Sequence, residues 1–247
     1  MRQKAIVIGA SSGVGRALAV ELAKAGHDLV IAARDVRSLT AVSKDLQLRY
    51  GIDVFVIRLD LANEDFIAQG FVADCLSKLT SLDALYVTAG VSLDADHGIN
   101  ASEEVTQLIA TNYASIVQLI NLCAGAIKES DKGVISVISS IAAHAPRSSN
   151  LVYASAKSGL ETYCQGLRHY LAPDDVSVNI IALGYADTAL AYGKKLLFPK
   201  ALPATIARYI LKISHKNKGL VFYPGYWRII TFILSCLPWS IYKRLSF

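Results

Sequence analysis

Tyr153 and Lys157 stand four residues apart in Tyr153-Ala154-Ser155-Ala156-Lys157, and Ser140 lies thirteen residues before the tyrosine. On a helix, residues i and i+4 share a face, so the phenol and the ammonium point the same way. A nearby ammonium favours tyrosinate and lowers the phenol from about 10 towards the working range of a general acid–base. Ser140, at the end of an apolar strand, can hydrogen-bond a substrate oxygen while charge develops on it. The three groups suit protonation of a carbonyl oxygen while a hydride reaches its carbon. A Tyr-x-x-x-Lys pair alone is usually a chance helical pair. Its weight here comes from what accompanies it.

The accompaniment is a glycine-rich turn, Gly9-Ala10-Ser11-Ser12-Gly13-Val14-Gly15, between the first strand pattern and the first helix pattern. Glycines allow a tight turn and close approach of a pyrophosphate, and the helix N-terminus adds N–H donors and a positive dipole end. The second strand ends at Ala32-Ala33-Arg34. An acidic side chain there would take ribose hydroxyls, whereas an arginine offers its fork to a 2′-phosphate, so NADP(H) is favoured over NAD(H). Arg37 is a possible helper, and a solvated strand-end charge is the bland alternative for Arg34. Asp60 can accept from an adenine amino group or serve as an ordinary helix N-cap.

These groups need a scaffold, and the chain's periodicity supplies one. Strand patterns cover Ala5–Ile8, Asp28–Ala32, Asp53–Leu59, Ala84–Val87, Val134–Ser139, Val176–Ala182 and Leu220–Tyr223. Helix patterns cover Val14–Ala25, Val36–Tyr50, Glu64–Leu79, Ser102–Lys128, Leu151–Leu171 and Pro203–Ser214. Continuous Val/Ile/Leu strands alternating with helices predict an α/β fold with a Rossmann-like, doubly wound parallel sheet covered on both faces. The 247 residues allow one such domain, residues 1–223, followed by a 224–247 extension.

Hydrophobic residues make up 53%, with a mean hydropathy of +0.39, much of it towards the C-terminus. The net charge of +5 comes without a long basic block, which argues against nucleic acid. Cys75, Cys123, Cys164 and Cys236 lack metal or redox spacing, so no metal is expected and the thiols read as reduced core residues of a cytoplasmic protein. Met1-Arg2-Gln3-Lys4 enters a strand at once, leaving no room for a signal peptide.

With these residues in view, the chain resembles the short-chain dehydrogenase/reductase family over about residues 4–223. The glycine turn, Asp60, Ala89-Gly90, Asn112, Ser140, Tyr153 and Lys157 stand in that family's order and spacing. The resemblance implies that Tyr153 donates the proton, Lys157 holds the nicotinamide ribose and tunes Tyr153, and Ser140 positions the carbonyl. It implies that Asn112 supports a water leading from Lys157 to solvent. It also places Gly9, Ser11, Ser12, Gly13, Val14, Gly15, Leu61, Gly184 and Thr188 along the cofactor. Ile8 stands where the family has threonine, Thr88 where it has asparagine, and Leu183 where it has proline. These departures touch support of the cofactor, not the proton donors.

The extension Tyr223-Pro224 to Phe247 carries no charge between Arg228 and Lys243. That run is too short to span a bilayer, and Pro238 interrupts it. The flanking Tyr226, Trp227, Arg228, Trp239, Tyr242, Lys243 and Arg244 suit a membrane interface. Packing on the domain and a dimer contact are the alternatives. This tail, with Arg147 to Tyr153, resembles the branch of the family that reduces a 2-keto-pentofuranose carried on decaprenyl phosphate, beside a flavin oxidase partner. That resemblance implies a lipid-linked substrate and a peripheral position on the inner face of the cytoplasmic membrane. A long-chain lipid ketone and a non-catalytic nucleotide sensor remain as other readings. Arg147 can pair with a phosphodiester or be a solvated loop charge. His144 is a candidate substrate contact that fits a plain loop histidine better. Lys194 and Lys195 sit where a lid would lie. Family resemblance implies a homo-oligomer.

Overall fold

The computed structural model describes residues 2–63, 67–92, 96, 102–188 and 198–245. Seven parallel strands run Lys4–Ile8 (β1), Asp28–Ala33 (β2), Val54–Arg58 (β3), Ala84–Val87 (β4), Val134–Ser140 (β5), Ser177–Leu183 (β6) and Gly219–Tyr223 (β7). Their spatial order is β3-β2-β1-β4-β5-β6-β7. The helices are Gly13–Lys24 (α1), Val36–Tyr50 (α2), Ala68–Leu79 (α3), Ser102–Ile109 (α4), Ser115–Lys128 (α5), Leu151–Tyr170 (α6), Pro203–Ile213 (α7), Trp227–Ser235 (α8) and Trp239–Tyr242 (α9).

The central strands are largely apolar because both faces of the sheet are covered. On one face Ile6, Ile8, Leu85, Ile135 and Val178 meet Phe71, Cys75, Ile120, Cys123, Leu160 and Leu167 of α3, α5 and α6. On the other, Val7, Ile31, Tyr86 and Ile181 meet Leu18, Leu22, Leu39, Leu46, Ile206 and Ile210 of α1, α2 and α7. Each fully buried Leu or Ile stabilises the fold by about 2 kcal/mol relative to exposure. Glu103–Lys128, continuous through a π turn, is long and apolar enough to cross a membrane by length and composition. Its apolar stripe of Ile116, Leu119, Ile120, Cys123 and Ile127 is spent on the sheet.

Register aligns the strand ends that matter. Ile8 pairs with Ala32 and Val87, and Ser140 pairs with Leu183. The order reverses between β1 and β4, which opens a crevice at their carboxyl ends. Three expectations are corrected. The third helix begins at Ala68, with residues 64–66 outside the described set. Asp60 is not its N-cap; its carboxylate accepts from the N–H of Ala62, two residues on, in a short turn. Cys236 is exposed, whereas Cys75, Cys123 and Cys164 are buried, the last two pushed up to about 12 by burial.

Candidate active site

The crevice is a cavity of about 860 Å³ bordered by the glycine turn, the ends of β2 to β6 and the start of α6. Gly9, Ser11, Ser12, Gly13, Val14, Gly15, Arg34, Asp60, Leu61, Ala89, Gly90, Ser140, Arg147, Tyr153, Lys157, Gly184 and Thr188 all line it. Sequence-separated candidates thus meet in one space.

The turn is built for close approach. Gly9 has φ +90°, and a Cβ there would lie 2.7 Å from the backbone N of Ala89. A Cβ on Gly15 would lie 2.2 Å from Gly9 O and 2.4 Å from Thr88 Oγ1, so no other residue fits at that position. Ser12 caps α1 without a side-chain hydrogen bond, so the helix's first-turn donors are not met by their own cap residue. Thr88 departs from the family pattern, yet its hydroxyl donates to Ile8 O at 2.7 Å and ties β4 to the turn. That tie was not legible from the motif. Asp35 also lines the cavity; its carboxylate accepts from Ser38 N at 3.0 Å, and the Ser38 hydroxyl and amide hold it below the ordinary value. Arg34, next to it, is the cation at this end of the cavity, while Arg37 lies outside the lining and acts on Asp35. Thr188 lies over the turn, its Cγ2 3.0 Å from where a Gly13 Cβ would be. A cradle closed to any Cβ, a helix N-terminus and a flanking arginine fit a dinucleotide.

At the other end, α6 is aimed by Asp96. Its carboxylate accepts from the N–H groups of Val152 (3.2 Å) and Tyr153 (2.6 Å), which satisfies two orphan donors of the helix. Tyr153 lines the cavity and is half-buried, deep in the crevice. Burial pushes its phenol up, with a hydrogen bond from Ser140 pulling the other way. This corrects the expectation that Lys157 lowers it. Lys157 Nζ is 5.9 Å from the Tyr153 ring centre and donates instead to Ile138 O at 3.1 Å. Lys157 is 2% exposed, and burial lowers its ammonium from 10.5 to about 8. A phenol kept protonated is a proton donor at neutral pH, as ketone reduction requires. Ser140 Oγ accepts from Ala142 N at 3.1 Å, which leaves its O–H to donate.

Asn112 sits in a π turn, Ala110–Ala114, and is fully buried. Its side chain accepts from Val91 N and donates to Val91 O and Leu108 O at 2.9–3.1 Å. The side chain therefore clamps the segment after β4. Gly90 passes between Asn112 Oδ1 and Lys157 Nζ, 3.1 and 3.2 Å from the position of a Cβ. His144 is absent from the lining. Its Nε2 lies 2.9 Å from Glu161 Oε2, and its ring packs on Phe222 at 4.8 Å. Glu161, buried one turn beyond Lys157, also accepts from Ser139 Oγ at 2.5 Å. His144 thus ties the loop after β5 to α6 and β7. Lys194 and Lys195 lie outside the described residues.

The tail reaches the site twice. Trp227 is buried against Gly184, where a Cβ would meet Nε1 at 1.9 Å. The Tyr242 hydroxyl donates to Pro146 O at 2.6 Å, next to Arg147. Among the described residues no cluster of His, Cys, Asp and Glu could hold a metal.

A family model described as short chain dehydrogenase matches residues 3–195. The hydroxysteroid 11-beta-dehydrogenase 1-like protein of Xenopus tropicalis is 30% identical over 246 residues, covering 95% of this chain and 83% of its own. The dehydrogenase/reductase SDR family protein 7-like of Anopheles gambiae is 30% identical over 190 residues, 75% of this chain but only 60% of its own length. L-Sorbose reductase from Gluconobacter frateurii, solved with NADPH and L-sorbose, shares the fold at a TM-score of 0.80 and 21% identity, covering 90% of this chain and 94% of its own. A short-chain dehydrogenase from Sphingobium yanoikuyae, solved with NADPH, does so at 0.81 and 22%, covering 96% and 97%. The chain belongs to the short-chain dehydrogenase/reductase family and is an NAD(P)-dependent oxidoreductase of an alcohol/ketone pair.

Proposed function

We propose that this protein is an NADPH-dependent reductase of a 2-keto-pentofuranose carried on a polyprenyl phosphate. The observation that carries the reading is the loop between β5 and α6. It brings Arg147 to the cavity that Ser140 and Tyr153 line, and Tyr242 of the apolar tail holds it from behind. A guanidinium suits a phosphodiester, and an apolar tail suits a lipid carrier.

When bound, a nicotinamide cofactor supplies the hydride. Arg34 would hold its 2′-phosphate, the glycine turn with α1 its pyrophosphate, and Lys157 its ribose. Ser140 donates to the carbonyl oxygen, and Tyr153 protonates it as it becomes an alkoxide. The π turn at Asn112, whose side chain is committed to Val91 and Leu108, would offer its backbone to a water that returns protons to Lys157. In the cell a flavin oxidase supplies the ketone that this protein then reduces, and the protein works on the inner face of the cytoplasmic membrane.

A reductase of long-chain apolar ketones is the second reading, favoured by the hydroxysteroid dehydrogenase-like relatives. The test is cofactor oxidation with a polyprenyl-phosphoryl 2-keto-pentose and with a 3-keto lipid, each with NADPH and NADH. Turnover of the keto sugar with NADPH preferred is expected. Turnover of the keto lipid alone overturns the assignment and leaves Arg147 without its phosphodiester.

A further inference from the structure

The tail is more than a brace. Helix α8 buries only Trp227 and Thr231. Ile229, Phe232 and Ile233, at i, i+3 and i+4, form a face that is 54–67% exposed. Trp239, Ile241 and Leu245 follow beyond Pro238, at 72%, 49% and 41% exposure. Exposed apolar side chains concentrated in one short segment mark an interaction surface.

Charge says what meets it. From Thr188 to the end the chain has ten Lys and Arg and no acidic residue. The first 187 residues hold all twenty Asp and Glu and the other fifteen Lys and Arg. Arg228, Lys243 and Arg244 are exposed at the two ends of this segment. A second copy of the chain is a poor occupant, because a two-fold contact would bring these cations together with no local acid to answer them. Apolar and aromatic side chains rimmed only by cations match the acyl boundary and head groups of an anionic bilayer.

We infer that α8 and α9 dock this protein onto an anionic bilayer surface, in the interface plane, with the mouth of the cavity held beside the lipid. The run lacking charge is fourteen residues and is broken by Pro238, too short to span. The couplings are already built: Trp227 sits on Gly184, and Tyr242 holds the loop of Arg147. A docked tail therefore fixes both sides of the cavity relative to the membrane. The delivery of substrate by this route rests on the proposed lipid-linked ketone; the docking does not.

The test is sedimentation of the full-length protein with vesicles of phosphatidylcholine alone and of phosphatidylcholine mixed with phosphatidylglycerol, at low and high salt. The partners in the comparison are Phe232→Ser/Ile233→Ser and Lys243→Glu/Arg244→Glu, whose side chains are exposed and outside the catalytic machinery. Wild type should bind the anionic vesicles, less at high salt. Reversing the two cations should weaken binding about thirty-fold or more. Both variants should retain NADPH binding and turnover of a detergent-soluble, short-prenyl substrate. Absence of vesicle binding by wild type overturns the inference. So does a wild-type dimer that the serine variant splits, since a second copy would then cover the face. Vesicle binding without turnover of any keto sugar would instead sink the substrate assignment and leave the docking intact.

Discussion

Replacing Lys157 by methionine should make the cofactor-free protein more stable while removing its activity. Burial takes the ammonium from 10.5 to about 8, and at 1.4 kcal/mol per pH unit this is a penalty of about 3 kcal/mol at neutral pH. Methionine can follow the same path past Gly90 without a charge. It forfeits the bond to Ile138 O, worth about 1 kcal/mol. The net gain is about 2 kcal/mol. The pH dependence follows from the sign of the shift. The folded value lies below the unfolded one, so between about 8 and 10.5 the unfolded chain binds more protons and wild-type stability rises with pH. The advantage of Lys157→Met is full at pH 7 and closes as pH approaches 10.5. Urea unfolding without cofactor, followed by tryptophan fluorescence at pH 7 and pH 10, measures it. A variant less stable than wild type at pH 7, or an advantage unchanged at pH 10, would refute the claim that burial dominates this lysine.

Other substitutions test other parts of the site. Gly15→Ala places a Cβ 2.2 Å from Gly9 O and should destabilise the fold by about 1–3 kcal/mol, with loss of NADPH binding by calorimetry. Arg34→Ala should weaken NADPH by about ten-fold or more and leave NADH nearly unchanged in fluorescence titration; equal losses would remove Arg34 from the 2′-phosphate. Gly184→Ala should be harmful alone and largely rescued by Trp227→Ala, since the clash is between those two residues; thermal melts of both variants and the pair report the coupling.

The strands and most helices were legible because periodicity is local, and the largest strand-boundary errors are a single residue, as where β5 runs on to Ser140 and β7 starts at Gly219. The glycine turn, Ser140, Tyr153 and Lys157 were legible as motifs, and the fold gathers them at one crevice. Contacts between distant segments were not. Asp96 meets the amide of Tyr153 across 57 positions, and Tyr242 meets Pro146 across 96. No motif records such pairs. The partners of His144 were hidden for a related reason: the loop-histidine reading names no contact, and Glu161, which holds its ring, lies seventeen positions away on α6. The tyrosine shift was misjudged because helical spacing fixes the face of Lys157 and not the reach of its Nζ, which goes to Ile138.

The most direct test of the central claim is deuterium transfer from 4-deuterated NADPH to polyprenyl-phosphoryl 2-keto-pentose, by wild type and by Tyr153→Phe. Wild type should give an alcohol labelled at C2. The variant should bind NADPH yet turn over at least about a hundred-fold more slowly, for want of its proton donor. An unlabelled sugar with wild type, or undiminished labelling with Tyr153→Phe, would contradict the account.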